Sequence, residues 1–546
     1  MKAGTRTALI GVVTSLAVFA ACWGIYSGVA TAAVASQPAP PALSFKTVAP
    51  TNAGTKFTRE QVLQFLVAAQ GAEDIKGLLQ RCLKFPDPPD SHWNHAAVVA
   101  YCKYRFQPIV SLARIRRLIR TGHAARLDQL LAQALHEQLT DPDARGRLDR
   151  IFYADFNNGS TALRRLLDEW KRQSPRSAFA YAASGTADMQ KAYAARGYAY
   201  IDDTPQSNID AMDQWAKRAD ADFRKAIKLD PHVTPAYRGM VMLGGLALSR
   251  AYGLDAAKRG LAVAPADYSI YGQALWLEQP KWGGSFAGMT VLAQKAMQHA
   301  TENPLLMLIA GEVNFYRVEN SGCSEAEQVS DYIAALDQFG GMCPLRGAGE
   351  AAHRSGDYPA MAIYLSEYLR FDPADNDVRL DRIYGLIALR QLKWGVAEAD
   401  TLVGRLPGDH RVFDARGAAY QEEADLPRAV RDFKTALRLD HSDQWALAHL
   451  AGIDMTRHQW DKAWNIADQM IQLDPQSIGG WMMRAQIQEE QPRAGLRETE
   501  EYMATHFAKN PGYAGFIAQL RATAHRRKVS EAGAMPASTE SSSRPD

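Results

Sequence analysis

The chain has 546 residues, 47% of them hydrophobic, which is enough for a large buried core. Its 62 Lys and Arg residues nearly balance 60 Asp and Glu residues, so the formal net charge is +2. This balance argues against a protein that binds nucleic acid through bulk positive charge. The sequence has no Walker-type phosphate loop and no dinucleotide fingerprint, so we expect no cofactor.

The first 36 residues have the pattern of an export signal. Lys2 and Arg6 form a basic start, residues 8–25 are uncharged and mostly apolar, and an Ala-Val-Ala run at 33–35 offers a cleavage site. Three alternatives stay open: a cleaved signal peptide, an uncleaved membrane anchor, or lipoprotein processing at Cys22. Each predicts that the chain from residue 37 is exported, either periplasmic or anchored in the inner membrane and facing the periplasm.

Composition and caps divide the remainder of the chain. Residues 37–56 are rich in Pro, Ala and Thr and are interpreted as a linker. Thr58 can form a capping box with Gln61, so the first ordered helix should begin there. We then expect an N-terminal helical region over 57–160, irregular helix hairpins with inserts over 161–341, and regular repeats over 342–525. Residues 529–546 hold too little apolar surface to fold and should form a disordered tail.

Four cysteines beyond residue 22 form two pairs of similar spacing, Cys82 with Cys102 and Cys323 with Cys343. An even number of cysteines in an exported chain favours disulfides. The proline-rich loop between the first two can bring two antiparallel helices level, so we expect the Cys82–Cys102 bridge. A straight helix over 324–339 would hold Cys323 and Cys343 too far apart, so free buried thiols are an equal alternative there.

Candidate catalytic and metal-binding residues are few. His92 and His95 have a spacing that could bind a metal if a third ligand approached, but polar residues that open a helix explain the segment equally well. We therefore expect no metal site. No serine or cysteine nucleophile has a recognisable local signature, so no catalytic residue is assigned.

Prolines recur in a 34-residue frame, which is the strongest pattern in the chain. Pro231 and Pro265 are one period apart, as are Pro373 and Pro407, and Pro475 falls two periods later with a histidine on the rung between. A proline at this point ends the second helix of a hairpin, because it lacks the amide donor and clashes with the preceding turn. A fixed period of this length predicts stacked helix hairpins.

The rung ending at residue 441 carries small and large residues in a set order. They are Phe413, Gly417, Tyr420, Ala429, Phe433 and Ala436. This order resembles the tetratricopeptide repeat, and the resemblance extends to about residue 511. It implies an all-α fold, a tetratricopeptide-like right-handed α-solenoid. We expect Gly417 and Ala429 to face one another where the two helices cross.

Two inserts interrupt the frame, at about residues 198–209 and 280–286, and inserts in a solenoid often carry function. The second contains Lys281-Trp282-Gly283-Gly284-Ser285, and Trp282 could be an anchor for a partner. Alternatively, Ser285 caps a helix and Trp282 packs into a groove. Residues 118–297, including "QPKWGGSFAGM", resemble a bacterial family of unknown function that has a Trp-Gly-Gly-Ser motif beside such hairpins.

The resemblance to tetratricopeptide repeats also implies which residues line a concave groove, since the first helix of each hairpin faces it. The residues at these positions are Tyr384, Arg411, Asp414, Gln421, Glu422, Trp445, Gln486, Glu489 and Glu490. Aromatic rings, one arginine and several acids would suit an extended peptide or a helix of a partner. The alternative for each residue is a solvated inner wall.

Two hypotheses about function follow. The favoured one is an extracytoplasmic scaffold that binds a protein or peptide partner in its groove, with no nucleic acid and with membrane contact only through an uncleaved N-terminal segment. The alternative is an enzyme, or an accessory to one, whose site is built from the two inserts.

Overall fold

The computed structural model describes residues 56–197, 199, 203–320, 325–491 and 493–533. Within these ranges every regular element is a helix and no strand occurs, so the predicted all-α fold is confirmed. The predicted export segment, nearly all of the predicted linker, Cys323 and the predicted tail from residue 534 lie outside the described residues. No helix in the described ranges is both long enough and apolar enough to span a bilayer.

Contacts divide the described chain into two compact units, one ending at Val378 and the other beginning at Arg379. The helices of the first unit are α1 Arg59–Glu73, α2 Leu78–Lys84, α3 His95–Phe106, α4 Leu112–Arg120, α5 Ala124–Thr140, α6 Arg147–Asp155, α7 Thr161–Gln173, α8 Ala178–Arg196, α9 Gln206–Leu229, α10 Thr234–Leu246, α11 Arg250–Val263, α12 Tyr268–Leu277, α13 Phe286–Met297, α14 Met307–Glu319, α15 Glu325–Ala335, α16 Met342–Ser355 and α17 Tyr358–Phe371. The boundary falls inside α18 Asn376–Ala388, and the second unit continues with α19 Leu392–Arg405, α20 His410–Glu422, α21 Leu426–Leu439, α22 Gln444–Thr456, α23 Trp460–Leu473, α24 Ile478–Glu490, α25 Leu496–Phe507 and α26 Pro511–Gly533.

The 34-residue frame is present in the helices themselves. First helices begin at residues 342, 376, 410, 444 and 478, and second helices at 358, 392, 426 and 460. The turn inside each hairpin repeats at the same interval, because Gly356, Arg390, Ala424 and His458 all have φ between 58° and 75°. Residues 342–490 are therefore built from tetratricopeptide-like helix hairpins.

Hairpins close around pairs of small and large residues 16 positions apart. A Cβ on Gly417 would lie 2.7 Å from the ring of Phe433, and one on Gly349 would lie 2.2 Å from Leu365. The ring of Phe433 is the group nearest to Gly417 and Ala429 is fully buried, so the expectation that Gly417 faces Ala429 stays a prediction. A ring can approach the backbone this closely only where no Cβ intervenes.

In the first unit, the N-terminal helices fold back onto α17. Arg81 Nη1 donates to the carbonyl of Leu369 at 3.1 Å, and Arg370 Nε donates to the carbonyl of Cys82 at 2.8 Å. Trp93 Nε1 donates to the carbonyl of Leu336 at 2.7 Å. These contacts join the beginning and the end of the unit, so the stack of hairpins is closed there rather than left as a free end.

The disulfide between Cys82 and Cys102 is present, as expected, and joins α2 to α3 with 5.8 Å between Cα atoms. Cys343 is also disulfide-bonded, while Cys323, its predicted partner, lies outside the described residues. The helix expected over 324–339 ends at Ala335, so the straight helix that argued against this second pair is shorter than predicted.

Other predicted boundaries can be compared with the described helices. The capping box of Thr58 and Gln61 is formed at the start of α1. Of the insert predicted at 198–209, residues 206–209 form the first turn of α9, a helix of 24 residues, while residues 198 and 200–202 lie outside the described residues. The predicted disordered tail is corrected at its start, because α26 continues through residues 529–533.

Candidate functional site

Three consecutive first helices of the second unit, α18, α20 and α22, bring a group of polar and aromatic side chains together. Asp443 is the N-cap of α22, and its Oδ1 accepts from the amides of Trp445 and Ala446, both at 3.0 Å. This cap orients the carboxylate, whose other oxygen, Oδ2, lies 2.8 Å from His410 Nδ1 on the neighbouring first helix. Asp443 thus connects two repeats while only 7% exposed.

Asp414 lies one helical turn after His410, and its Oδ2 is 3.4 Å from His410 Nδ1. The side chain is buried, and its Oδ1 has no hydrogen-bond partner among the described residues. Burial, together with the hydrogen bond and charge of nearby Asp443, raises the pKa of Asp414 to about 9. At neutral pH the free protein therefore keeps a proton on this carboxyl group.

Aromatic rings lie beside the two aspartates. Tyr384 and Trp445 meet edge to face with 5.8 Å between centroids, and Trp445 is 3.9 Å from the ring of His449. His449 also stacks on Phe433 at 4.8 Å. Burial raises the pKa of Tyr384, and burial lowers the pKa of His449 to about 3, so both side chains are neutral.

His449 is polar yet only partly satisfied. Its Nδ1 is 2.8 Å from Gln421 Oε1, whereas its Nε2 is buried without a hydrogen-bond partner among the described residues. We call the following residues the first-helix cluster: Tyr384, His410, Asp414, Gln421, Asp443, Trp445 and His449. A cluster with rings, buried acids and unsatisfied polar atoms is the kind of surface that a ligand can complete.

Four of the predicted groove residues, Tyr384, Asp414, Gln421 and Trp445, belong to this cluster. Sequence reasoning missed His410, Asp443 and His449, because they fall outside the positions that the repeat pattern assigns to the groove. Two signals could have found them: the i, i+4 spacing of His410 and Asp414 on one helix, and the recurrence of a capping aspartate at residues 409 and 443.

The other predicted groove residues lie elsewhere. Arg411 is half exposed and is bound to Asp409, with 2.7 Å between Nη2 and Oδ2. Glu422 is exposed and forms an ion pair with Arg390 in the turn of the preceding hairpin.

Three predicted residues lie on α24, near the end of the stack. Gln486 is half-buried and Glu490 is exposed. Glu489 accepts from Thr523 Oγ1 at 3.1 Å, and Arg527 donates to the carbonyl of Glu489 at 2.9 Å. Helix α26 therefore covers part of the surface that these residues were expected to offer to a partner.

In the first unit, Trp282 is half-buried, and its role as an anchor for a partner stays a prediction. Trp282 ends a short 3₁₀ turn and its ring lies 4.5 Å from that of Trp276. Ser285 caps α13 by accepting from the amide of Gly288 at 3.0 Å. The described part of the other insert, from residue 203, leads into α9.

His92 and His95, which the sequence offered as possible metal ligands, lie at the surface beside Asp337 and at the start of α3, respectively. His92 Nδ1 is 2.7 Å from Asp337 Oδ1 at the surface, and His95 is the first residue of α3.

Comparison with known proteins adds little to the helical register. No family model matches the chain and no curated protein matches it. The resemblance of residues 118–297 to the Trp-Gly-Gly-Ser family therefore stays a prediction.

Two solved structures are similar to this chain over most of its length, at low sequence identity. The crystal structure of yeast Tom70 shares 11% identity, covers 86% of this chain and 90% of its own, and gives a TM-score of 0.32. The crystal structure of the APC/C hetero-tetramer Cut9–Hcn1 shares 12% identity, covers 85% and 95%, and gives 0.30. Similarities at this level support no conclusion about this chain, and the assignment of the repeat rests on the 34-residue register of its helices.

Proposed function

We propose that the protein is an extracytoplasmic interaction scaffold that binds a segment of a protein partner across α18, α20 and α22. The observation that carries this proposal is a pair of buried polar atoms without partners, Asp414 Oδ1 and His449 Nε2, beside the rings of Tyr384 and Trp445. Such atoms destabilise the free protein, and a bound donor would satisfy them.

The register of the repeats supports an elongated ligand. Because first helices begin every 34 residues, equivalent positions recur along the stack, and a peptide or helix can contact several repeats in succession. Buried aromatic anchors usually supply most of the affinity at such surfaces. Trp445 lies at the centre of this arrangement, in contact with Tyr384, Phe433 and His449.

Charge indicates what the partner offers. Besides the protonated Asp414, four acids occur on or beside the first helices that form the cluster: Asp381, Asp409, Asp440 and Asp443. Acids in this density favour a segment that carries Lys or Arg side chains, or that presents free amides, over an acidic segment.

Partner capture from the native cell tests the proposal. The full chain would be cross-linked in cells, the partner identified by mass spectrometry, and its affinity measured with purified components. Trp445→Ala should weaken binding roughly 30-fold or more, the effect of losing a central aromatic anchor.

The matched control is Trp464→Ala, which removes the same side chain from a second helix, α23. It should leave affinity within about threefold of the original chain. Equal affinities for the original chain and the Trp445→Ala variant, with circular dichroism showing that both are folded, would contradict the proposal.

We also propose that residues 37–546 are exported. Lys2, Arg6 and the apolar stretch after them support this location, and so does the disulfide between Cys82 and Cys102, because disulfides persist in oxidising compartments. Alkaline phosphatase fused after residue 546 of the full chain should be active in a bacterial host. An inactive phosphatase together with an active cytoplasmic reporter at the same point would contradict the location.

A further inference from the structure

We infer that His410, Asp414 and Asp443 form a binding site for a divalent transition-metal ion such as Zn²⁺. These residues are the one group of three possible metal ligands found in the described part of the chain, and each offers one atom within 4.8 Å of the others. Metal–ligand bonds of about 2.0–2.2 Å place neighbouring ligand atoms about 3–4 Å apart, so only a small inward movement is required.

The protein backbone already fixes the three side chains. His410 and Asp414 lie one turn apart on α20, so they project from the same face of the helix. Asp443 is held by its own cap, in which Oδ1 accepts from two amides, and this leaves Oδ2, which lies 2.8 Å from His410 Nδ1, on the side where the ion would replace that contact. Supporting hydrogen bonds of this kind orient ligands in metal sites and lower the cost of assembling them.

An unsatisfied atom points independently to a ligand. Asp414 is 4% exposed, and its Oδ1 has no hydrogen-bond donor. A buried acceptor in this state destabilises the protein, and a cation bound by the carboxylate would remove that cost. The alternative occupant is a proton shared between Asp414 and Asp443, which makes the cluster only a link between two repeats.

The donor set selects the class of ion. One imidazole nitrogen and two carboxylate oxygens suit Zn²⁺ or Mn²⁺, whereas Mg²⁺ and Ca²⁺ prefer all-oxygen sites. Binding of the ion would release the proton that Asp414 holds in the free protein, and two carboxylates with a neutral imidazole then match the charge of a divalent ion. Three protein ligands leave at least one coordination position open, which water or a group of a bound partner can fill.

The experiment uses the tag-free, full chain after treatment with a chelator and dialysis. Zn²⁺ would be titrated in competition with a chromophoric chelator, and Mg²⁺ in a separate titration. We expect one equivalent of Zn²⁺ to bind with micromolar or lower Kd and Mg²⁺ to bind at least 100-fold more weakly.

Variants locate the site. His410→Ala and Asp414→Asn should each weaken Zn²⁺ binding at least tenfold, consistent with the loss of one ligand. His441→Ala is the matched control, because it removes an exposed histidine near the site, and it should leave the affinity unchanged. Asp443 is not substituted, since it also caps α22.

Spectroscopy adds a readout that does not depend on affinity. With Co²⁺ in place of Zn²⁺, the original chain should show visible d–d absorption that His410→Ala removes. Absence of stoichiometric Zn²⁺ binding, or binding that His410→Ala and Asp414→Asn leave unchanged, would overturn the inference. Because neither titration nor spectrum involves a protein partner, failure of the metal site and failure of the proposed scaffold function are separate results.

Discussion

The two units build helix stacks in different ways. From α18 to α23, which make up most of the described part of the second unit, first helices of 13 residues alternate with second helices of 14. In the first unit, helix lengths range from 7 residues in α2 to 24 in α9. Equal lengths keep equivalent positions in line, and this alignment lets His410 of one repeat meet Asp443 of the next.

The irregular unit depends on contacts that are distant in sequence. Arg81 and Arg370 donate to carbonyl oxygens across the closure, and a disulfide holds α2 to α3. The comparison shows that a regular stack is stabilised by neighbouring repeats, whereas an irregular one can be stabilised by joining its ends.

The largest effect on stability is expected when one buried aromatic ring is removed from each unit. Phe433 is fully buried against Gly417, and Phe223 is fully buried with its ring close to both Gly185 and Gly239. Phe433→Ala and Phe223→Ala should each lower the free energy of unfolding by about 3–5 kcal/mol, from lost burial and a new cavity.

Hydrogen exchange locates the damage. Phe433→Ala should reduce protection most in α20 to α23, whereas Phe223→Ala should reduce it throughout the closed first unit. Loss spread evenly over both units in the Phe433→Ala variant would contradict nearest-neighbour stabilisation of the regular repeats.

A smaller effect is expected from the disulfide. Replacing both Cys82 and Cys102 by Ala should destabilise the first unit by roughly 2–4 kcal/mol, because the bridge restricts the unfolded chain. Chemical denaturation followed by a probe in each unit measures this difference, and the second unit should be unaffected. Peptide mapping without reductant provides the control, since thiols that react freely at both positions would show that the bridge is absent.

The smallest effect concerns the turns of the regular repeats. Ala424 has φ of 62°, in the left-handed region that costs a residue with a Cβ about 1 kcal/mol. Ala424→Gly should therefore raise the free energy of unfolding by about 0.5–1 kcal/mol.

The control for the turn is Ala397→Gly, at an exposed position inside α19. Glycine at this position inside a helix should lower the free energy of unfolding by about 1 kcal/mol, because a glycine has more backbone freedom in the unfolded chain and loses it on folding. Thermal unfolding of both variants measures the two signs, and a shift in the same direction for both would contradict the assignment of the turn.

The regular part of the fold could be predicted because each hairpin repeats its own local signals. Prolines follow second helices, a glycine such as Gly417 leaves room for the ring of Phe433, and aspartates cap first helices. Each of these signals recurs with the 34-residue period, so the period can be recognised from the sequence. The bond between Cys82 and Cys102 could also be predicted, since the intervening loop and the spacing limit its partners.

The closure of the first unit could not be predicted, because Arg81 and Arg370 belong to no repeating pattern. Their roles depend on carbonyl oxygens that become available only when distant helices meet. Only part of the candidate site could be predicted, because some of its residues also belong to no repeating pattern. The repeat register identified Tyr384 and Trp445, but His449 contributes through packing between rings, which no spacing rule describes.

The closure of the first unit also has a consequence for how the protein is made. Arg370 and Cys82 are 288 residues apart, so α2 cannot form its final contacts until most of the unit has been synthesised. At about 5–20 residues per second, translation alone imposes a delay of roughly 15–60 s. During this interval the apolar faces of α1 and α2 are uncovered, and forming so distant a contact makes the closing step slow. The segment synthesised first is therefore the part of the unit that depends longest on protection from aggregation.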